Sequence, residues 1–390
     1  MSVSRRAAAR LRHGHVWVYR SDLVTTDQLP PGSLVQVEDE AGKYLGTALY
    51  SSSSQIALRM LAGERLDPAN LAGLLRDRLQ AAIAYRERVV RDTDAYRVVF
   101  SEADGLPGLV VDRYHDILTL QVLTQAMDRD DIRDVLLKTL VDGLRPASVV
   151  ERVEPRIREL EQLSPRDEGL RYGDKTSTVF TMNGVRFLFH ALAGQKTGAF
   201  LDQRENYAAA ARYARGEALD MFCYQGGFAL HLARVCSQVA AVDSSRPALE
   251  IAEQNEKLNA EFMGGREIEW TEANAFDLLK DYQVAGRQYD TIVLDPPAFA
   301  KSRRSLPTAL RGYKELNLRA LKMLRPGGVL VTCSCSFHVA EEEFLEMLRS
   351  AAFDARRTPK VLEKRGQAKD HPVLLAVPET AYLKCVILTV

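Results

Sequence analysis

The chain lacks most of the features that would place it at once. No run of about 18 apolar residues occurs in its 390, so nothing in the sequence spans a membrane. Cysteine is scarce. Cys223, Cys236, Cys333, Cys335 and Cys385 make an odd set of five in a large chain without a signal peptide, which argues against a disulfide framework and points to a reducing, cytoplasmic setting. Neither they nor the seven histidines have zinc-site spacing: His13 and His15 are the only close histidine pair, and no two cysteines are separated by two residues, so no metal is expected. Charge of one sign is not in excess, with 52 Lys and Arg against 52 Asp and Glu, so only local patches can select a polyanionic partner. Repeats, low-complexity tracts and the G-x-G-x-x-G fingerprint are missing too, and the last absence disfavours a nicotinamide cofactor.

What is present reads as a globular chain of two or three domains, 46% hydrophobic and 27% charged. Arg5, Arg6, Arg10, Arg12 and Arg20 crowd the first twenty residues without an acid, a cluster that either meets phosphates or is a solvated end. Residues 1–72 read as short strands, "HVWVY", "GSLVQVED", "YLGTALY" and "QIALRML", in a small β-barrel-like unit. "PANLAGLLRDRLQAAIAYRERVV" has apolar residues recurring every three or four positions and predicts a helix linking two domains. The order strand, strand, helix, strand predicts a small central α+β domain to about residue 185. From 186 to 390 strands alternate with helices, the pattern of a doubly wound α/β sheet that binds ligands at the carboxyl ends of its strands, and "AVPETAYLKCVILTV" reads as closing strands of that sheet.

Candidate site residues fall at those ends. "ALDMFCYQGGFAL" runs from a strand through Asp220 into a Gly226-Gly227 turn of the kind that lets a cofactor approach the backbone. "VAAVD" ends in Asp243, where an acid can hold both hydroxyls of a ribose. "EANAF" supplies Asn274 and Phe276 to bond and flank an adenine. Singly, each is as readily a strand-end cap, a helix-start charge or a core residue. Their succession fits S-adenosylmethionine in a class I, Rossmann-like methyltransferase domain. "IVLDPPAFAKS" closes the fourth strand with Asp295 and a rigid proline turn that presents the carboxylate to the crevice. "LVTCSCSF" puts Cys333 and Cys335 on one face of a strand, with Cys335 nearer the carboxyl end and hence the expected nucleophile, and Cys333 the expected packing residue. Thiolate addition to C6 of a pyrimidine activates C5 toward a methyl sulfonium, and Asp295 against the N3 edge would stabilise the adduct.

With those residues in view, the chain resembles over nearly its whole length the bacterial large-subunit ribosomal-RNA 5-methylcytosine methyltransferases of the RlmI type. "GHVWVYRSDL" and "GTALYSSSSQIALRML" resemble that family's N-terminal PUA domain, and "FSEADGLPGLVVDRY" its central module. "GQKTGAFLDQREN" resembles its entry segment, which implies that Lys196, Phe200, Asp202 and Arg204 border the cofactor pocket. "DMFCYQGGF", "AVDSS", "LDPPAF" and "SCS" follow in the family's order, with "DHPVL" and "PETAYLK" at the end. They imply a cofactor set that also takes in Asp220, Tyr224, Gly226, Asp243, Asn274, Phe276 and Asp295. Asn274 departs from the aspartate most relatives carry. A sister group that modifies guanine has asparagine in place of the motif cysteine, whereas "SCS" here keeps Cys335.

The function implied is S-adenosylmethionine-dependent methylation of carbon 5 of a cytosine in 23S ribosomal RNA. The partner is that RNA or a large-subunit assembly intermediate, no membrane is involved, and a homodimer is left open. Cytosine rather than uracil rests on the resemblance alone. Two rivals stand beside it: methylation of guanine or of an exocyclic amino group, with Cys335 in the core, and a non-catalytic RNA-binding assembly factor working through its PUA-like domain.

Overall fold

The alternating strands and helices beyond residue 200 fold, in the computed structural model, into one seven-stranded sheet. Residues 1–25, 29–192, 199–300 and 302–390 are described. The strands are β1 (Glu217–Met221), β2 (Gln238–Asp243), β3 (Ile268–Glu272), β4 (Tyr289–Leu294), β5 (Leu324–Ser334), β6 (Lys360–Arg365) and β7 (Lys384–Thr389). Their order across the sheet is β3-β2-β1-β4-β5-β7-β6. β1 to β5 run parallel, and β1 and β4 are almost wholly buried, as a helix-covered parallel sheet requires. β7 enters antiparallel between β5 and β6, pairing Ser334 with Lys384 and Cys333 with Cys385.

Six helices follow in chain order: α1 (Arg204–Tyr213), α2 (Gly227–Leu232), α3 (Arg246–Leu258), α4 (Ala275–Val284), α5 (Leu306–Met323) and α6 (Glu341–Asp354). Leu279 of α4, Tyr313 and Leu316 of α5 and Phe344 of α6 share one core with Leu219, Ile292 and Leu330 of the sheet. Strand order reverses between β1 and β4, so their carboxyl ends diverge into the crevice where such sheets bind ligands.

The chain divides into two compact units, and the cut is not sequential. The first comprises Met1–Phe180, Phe189–Gly198 and Lys369–Thr380; the second, Thr181–Leu188, Ala199–Ala368 and Ala381–Val390, carries the seven-stranded sheet. The first unit holds a five-stranded sheet from residues 2–62 and another from residues 95–172. The helix that the sequence predicts as a link between two domains, Leu71–Val89, lies within this unit. Its Leu71, Leu75 and Leu79 share a core with Leu49 and Leu61 from the first sheet and with Val99, Leu109 and Leu118 from the second.

Two further departures come from the ends of the chain. The arginine-rich start is an α-helix, Arg5–Arg12, rather than strand or loose end. Ser4 Oγ accepts the Ala7 N–H at 3.3 Å as its cap, and Ala7 and Ala8 are buried. Acids elsewhere in the unit meet its cations: Arg5 lies 3.3 Å from Glu40, Arg10 2.5 Å from Asp22, and Arg12 pairs with Asp39. At the other end, Lys369–Thr380, assigned by sequence to the methyltransferase domain, belongs to the first unit. There Asp370 accepts the Arg97 N–H at 2.8 Å on its carboxylate and an Arg86 N–H at 2.7 Å on its carbonyl, and His371 stacks at a tilt 5.4 Å from Phe100. Among the described residues, no helix is long and apolar enough to cross a membrane.

Candidate active site

β1 delivers Asp220 to the crevice fully buried. Its Oδ2 accepts the Ala229 N–H of α2 at 2.9 Å, while Oδ1 has no partner among the described residues. Burial, with the charge of Asp295 second, pushes this carboxyl well above its ordinary range. The loop that follows places three residues in the left-handed region: Phe222 (φ 67°), Tyr224 (φ 48°) and Gly226 (φ 87°). Two of them are not glycine. Such conformations cost on the order of 1 kcal/mol or more each and concentrate at ligand sites. A Cβ on Gly227 would lie 2.5 Å from the Tyr207 ring, so only glycine admits the approach of α1.

Asp243, at the end of β2, fastens that loop. Its Oδ2 accepts the Tyr224 N–H and its Oδ1 the Ser245 N–H, each at 2.9 Å. A carboxylate accepts about four hydrogen bonds, so two places remain for a diol. Replacing Asp243 by alanine should weaken S-adenosylmethionine binding by roughly 1 to 3 kcal/mol. Calorimetric titration checks this, and an unchanged affinity would remove Asp243 from the ribose site.

The remaining expected cofactor residues are placed unevenly. The Phe200 ring meets Tyr224 edge-on at 5.1 Å. Asp202 accepts the Tyr382 hydroxyl at 2.6 Å. Arg204 is 1% exposed at the start of α1, beside Glu205 at 3.8 Å, and so is not at an open rim. Asn274 caps α4, its Oδ1 accepting the N–H groups of Phe276 (2.9 Å) and Asp277 (3.4 Å), which leaves its amide donor for a base. Phe276 is half-buried, with its ring 5.9 Å from Phe299. Lys196 lies outside the described residues.

Asp295 and Cys335 follow the adjacent parallel strands β4 and β5, in which Leu294 pairs with Thr332. Gln203 Nε2 donates to Asp295 Oδ2 at 3.0 Å and is itself held by Asn206, whose Nδ2 donates to its Oε1 at 2.7 Å. Cys333 is fully buried opposite Cys385, and burial first and Cys385 second hold its thiol well above the ordinary range. Cys335, one residue past β5, is half-buried, whereas the other four cysteines are buried. The serines beside it are fixed. The Tyr313 hydroxyl lies 3.0 Å from Ser334 Oγ and 2.9 Å from Ser336 Oγ, and the Lys384 ammonium donates to Ser336 O at 2.7 Å and Tyr382 O at 2.9 Å.

Gln203, Tyr313 and Lys384 were not singled out in the sequence. Gln203 stands between two residues that were, and Lys384 ends the motif "YLK", but only the antiparallel register of β7 brings it to the cysteine turn. A cavity of about 780 Å³ opens at the amino ends of the strands, lined by Glu217, Gln238, Glu269 and Arg325, at the opposite end of the sheet from these groups.

An orphaned carboxyl oxygen on Asp220, a glycine turn that a side chain would obstruct, and an acid with spare acceptor capacity at the next strand end together fit S-adenosylmethionine. The comparisons agree. Residues 1–62 match the PUA-like domain family and residues 171–386 the S-adenosylmethionine-dependent methyltransferase family. A ribosomal RNA large subunit methyltransferase I from Photobacterium profundum is 37% identical over 382 residues, covering 96% of this chain and 95% of its own length. Its counterpart from Shewanella denitrificans is 35% identical with the same coverage. Among solved structures, a SAM-dependent methyltransferase from Streptococcus mutans shares the fold with a TM-score of 0.83 at 19% identity, over 100% of this chain and 99% of that one. A methyltransferase complexed with SAH does so at 0.84, with 18% identity and the same coverage. On the strength of the near full-length matches, this S-adenosylmethionine-dependent enzyme belongs to the ribosomal RNA large subunit methyltransferase I family.

Proposed function

We propose that the protein methylates carbon 5 of a cytosine in large-subunit ribosomal RNA, through a transient bond between Cys335 and C6 of the base. The observation that carries this reading is the contrast among the cysteines: four are buried, and the one that is not lies just past β5 at the crevice end of the sheet. Asp220, Tyr224, Gly226, Asp243, Asn274 and Phe276, with Phe200 and Asp202, hold the cofactor. S-adenosylmethionine supplies the electrophilic methyl group. The Cys335 thiolate forms the S–C6 bond, and the C5=C6 π pair becomes available at C5, which is otherwise not nucleophilic. Asp295, carrying a proton, donates it toward N3, where electron density accumulates as C6 is attacked. When the methylated C5 gives up its proton to a base, the pair left behind restores the double bond and expels the thiolate.

The rival in which guanine or an exocyclic amine is methylated makes Cys335 a core residue, and its partial exposure speaks against that. The PUA-like match and the relatives' names support a ribosomal RNA substrate. The deciding experiment maps methylated nucleotides in ribosomal RNA from cells with and without the gene. Loss of one 5-methylcytosine in the large-subunit RNA is expected, and loss of a methylguanosine would overturn the reading.

RNA affinity should fall steeply with salt, because phosphate contacts release counterions. Arg5→Gln with Arg6→Gln, at two exposed positions, should flatten the log–log slope by roughly 1 to 2. The same change at Arg10 and Arg12 should do less, since their pairs with Asp22 and Asp39 are more sheltered than the solvent-exposed pair of Arg5 with Glu40. Filter binding across a salt series measures this, and a slope unmoved by all four changes would relegate these arginines to solvation.

A further inference from the structure

β7 places a second ionisable group beside the candidate nucleophile. Lys384 pairs with Ser334 in the β5–β7 ladder, and the residue is 7% exposed. Two of its three N–H bonds go to carbonyls, Ser336 O and Tyr382 O. One of those carbonyls belongs to the residue after Cys335, so the ammonium is tied across the turn that carries the thiol. From α5, the Tyr313 hydroxyl joins both flanking serines, and the Ala300 N–H donates to Ser336 Oγ at 3.2 Å. The turn is thus gripped from two sides, and one of the grips is a cation. The hydrogen-bond acceptors described for this buried cation are neutral carbonyls, which compensate its charge less well than a neighbouring anion does.

We propose that Lys384 is the positioning residue for Cys335: its ammonium, anchored on Ser336 O and Tyr382 O, holds the Ser334-Cys335-Ser336 turn and stabilises the Cys335 thiolate. Burial lowers the Lys384 ammonium to about 8, while the charges of Cys335, Glu341 and Glu343 act in the opposite direction. The cation is therefore present below about pH 8, the range in which an ordinary thiol near 8.5 would be mostly protonated. The other groups around the turn are Tyr313 on α5 and the carboxylates Glu341 and Glu343 in the first turn of α6. Glu341 is engaged by Lys364 at 2.6 Å, and Glu343 caps α6 through the Ala340 N–H at 2.8 Å. The acids thus have partners of their own, and among the described residues Lys384 is a cation tied directly to the cysteine turn.

The inference rests on Cys335 as nucleophile, and its test does not require methyl transfer. Iodoacetamide alkylation of the native protein reports on Cys335, because the other four cysteines are exposed by 4% or less. The pH midpoint of alkylation should lie below that of free cysteine, and Lys384→Met should raise it by about one unit, slowing alkylation near pH 7 roughly tenfold. Lys384→Arg should restore most of the shift. Melting temperature and S-adenosylhomocysteine affinity, measured alongside, identify a variant that has merely lost its fold. If Lys384→Met misfolds, the ultraviolet thiolate titration of the wild type minus that of Cys335→Ala gives the thiol directly. A midpoint at or above that of free cysteine, or one unmoved by Lys384→Met in a folded variant, overturns the proposal. A midpoint that behaves as expected, in an enzyme that makes no 5-methylcytosine, overturns only the functional reading beneath it.

Discussion

Replacing Cys335 with alanine should abolish methyl transfer, by about 10⁴-fold or more, while leaving cofactor affinity nearly intact. Removing a nucleophile that forms a covalent bond in the reaction removes the route itself, and losses of that order or larger follow in enzymes that use one. Cys335 lies beyond the end of β5, apart in sequence from Asp220, Asp243 and the turn between them that we propose hold the cofactor, so binding should survive. Cys333→Ala is the control. It deletes one small buried group between strands and should cost on the order of 1 kcal/mol of stability with turnover retained. RNA carrying 5-fluorocytosine sharpens the comparison, because fluorine at C5 cannot leave as a proton and the S–C6 bond then persists. Wild type and Cys333→Ala should give a covalent band on a denaturing gel, and Cys335→Ala none. A band that persists in Cys335→Ala and vanishes in Cys333→Ala assigns the other thiol, and no band in any variant places the chemistry at another atom.

Acid should destabilise the second unit through His231, by up to about 3 kcal/mol as the pH falls from above 6.5 to below 4. This histidine on α2 is fully buried beside the glycine turn, its Nδ1 2.7 Å from Gly227 O and its Nε2 3.1 Å from Asn183 Nδ2. Burial lowers it from the ordinary 6.5 to about 4. The sign follows: between those values the unfolded chain holds a proton that the folded one refuses, so the stability present above 6.5 drains away as the pH drops through 4. Urea midpoints from pH 7 to 4.5 should fall more steeply in the wild type than in His231→Asn, whose amide can still donate to Gly227 O. Equal slopes would mean that the ring is protonated in the folded protein. The loss should reach the cofactor as well, since the same turn carries Gly226 and Gly227.

The methyltransferase sheet was legible because each of its signals is local. Strand parity, which put Cys333 and Cys335 on one face of a strand, does not hold for the second: β5 ends at Ser334, so Cys335 lies in the turn beyond it, half-buried where Cys333 is buried. Asp220, Asp243 and Asp295 do stand at or just after strand ends. What the sequence hid is long-range. Lys384 becomes relevant to Cys335 only through a strand inserted antiparallel between two others, and Lys369–Thr380 reads as part of its neighbours until its contacts with Arg86 and Arg97 are seen. The helix Arg5–Arg12 was hidden by its own charge, because its four arginines draw attention from the Ser4 cap and the buried alanines beneath it. Asn274 shows the reverse hazard: a side chain read for its chemistry spends its oxygen on a helix end.

The backbone enters the second unit at residue 181, returns at 189, crosses again at 199, leaves at 369 and comes back at 381. Neither unit is therefore a continuous stretch of the gene, and a fragment ending at residue 180 would lack the Asp370 groups on which Arg86 and Arg97 close. Chains emerging from a ribosome usually complete the amino-terminal domain first. Here that order is unavailable, because the first unit stays unfinished until residue 380 has been translated, by which point nearly all of the second has been made.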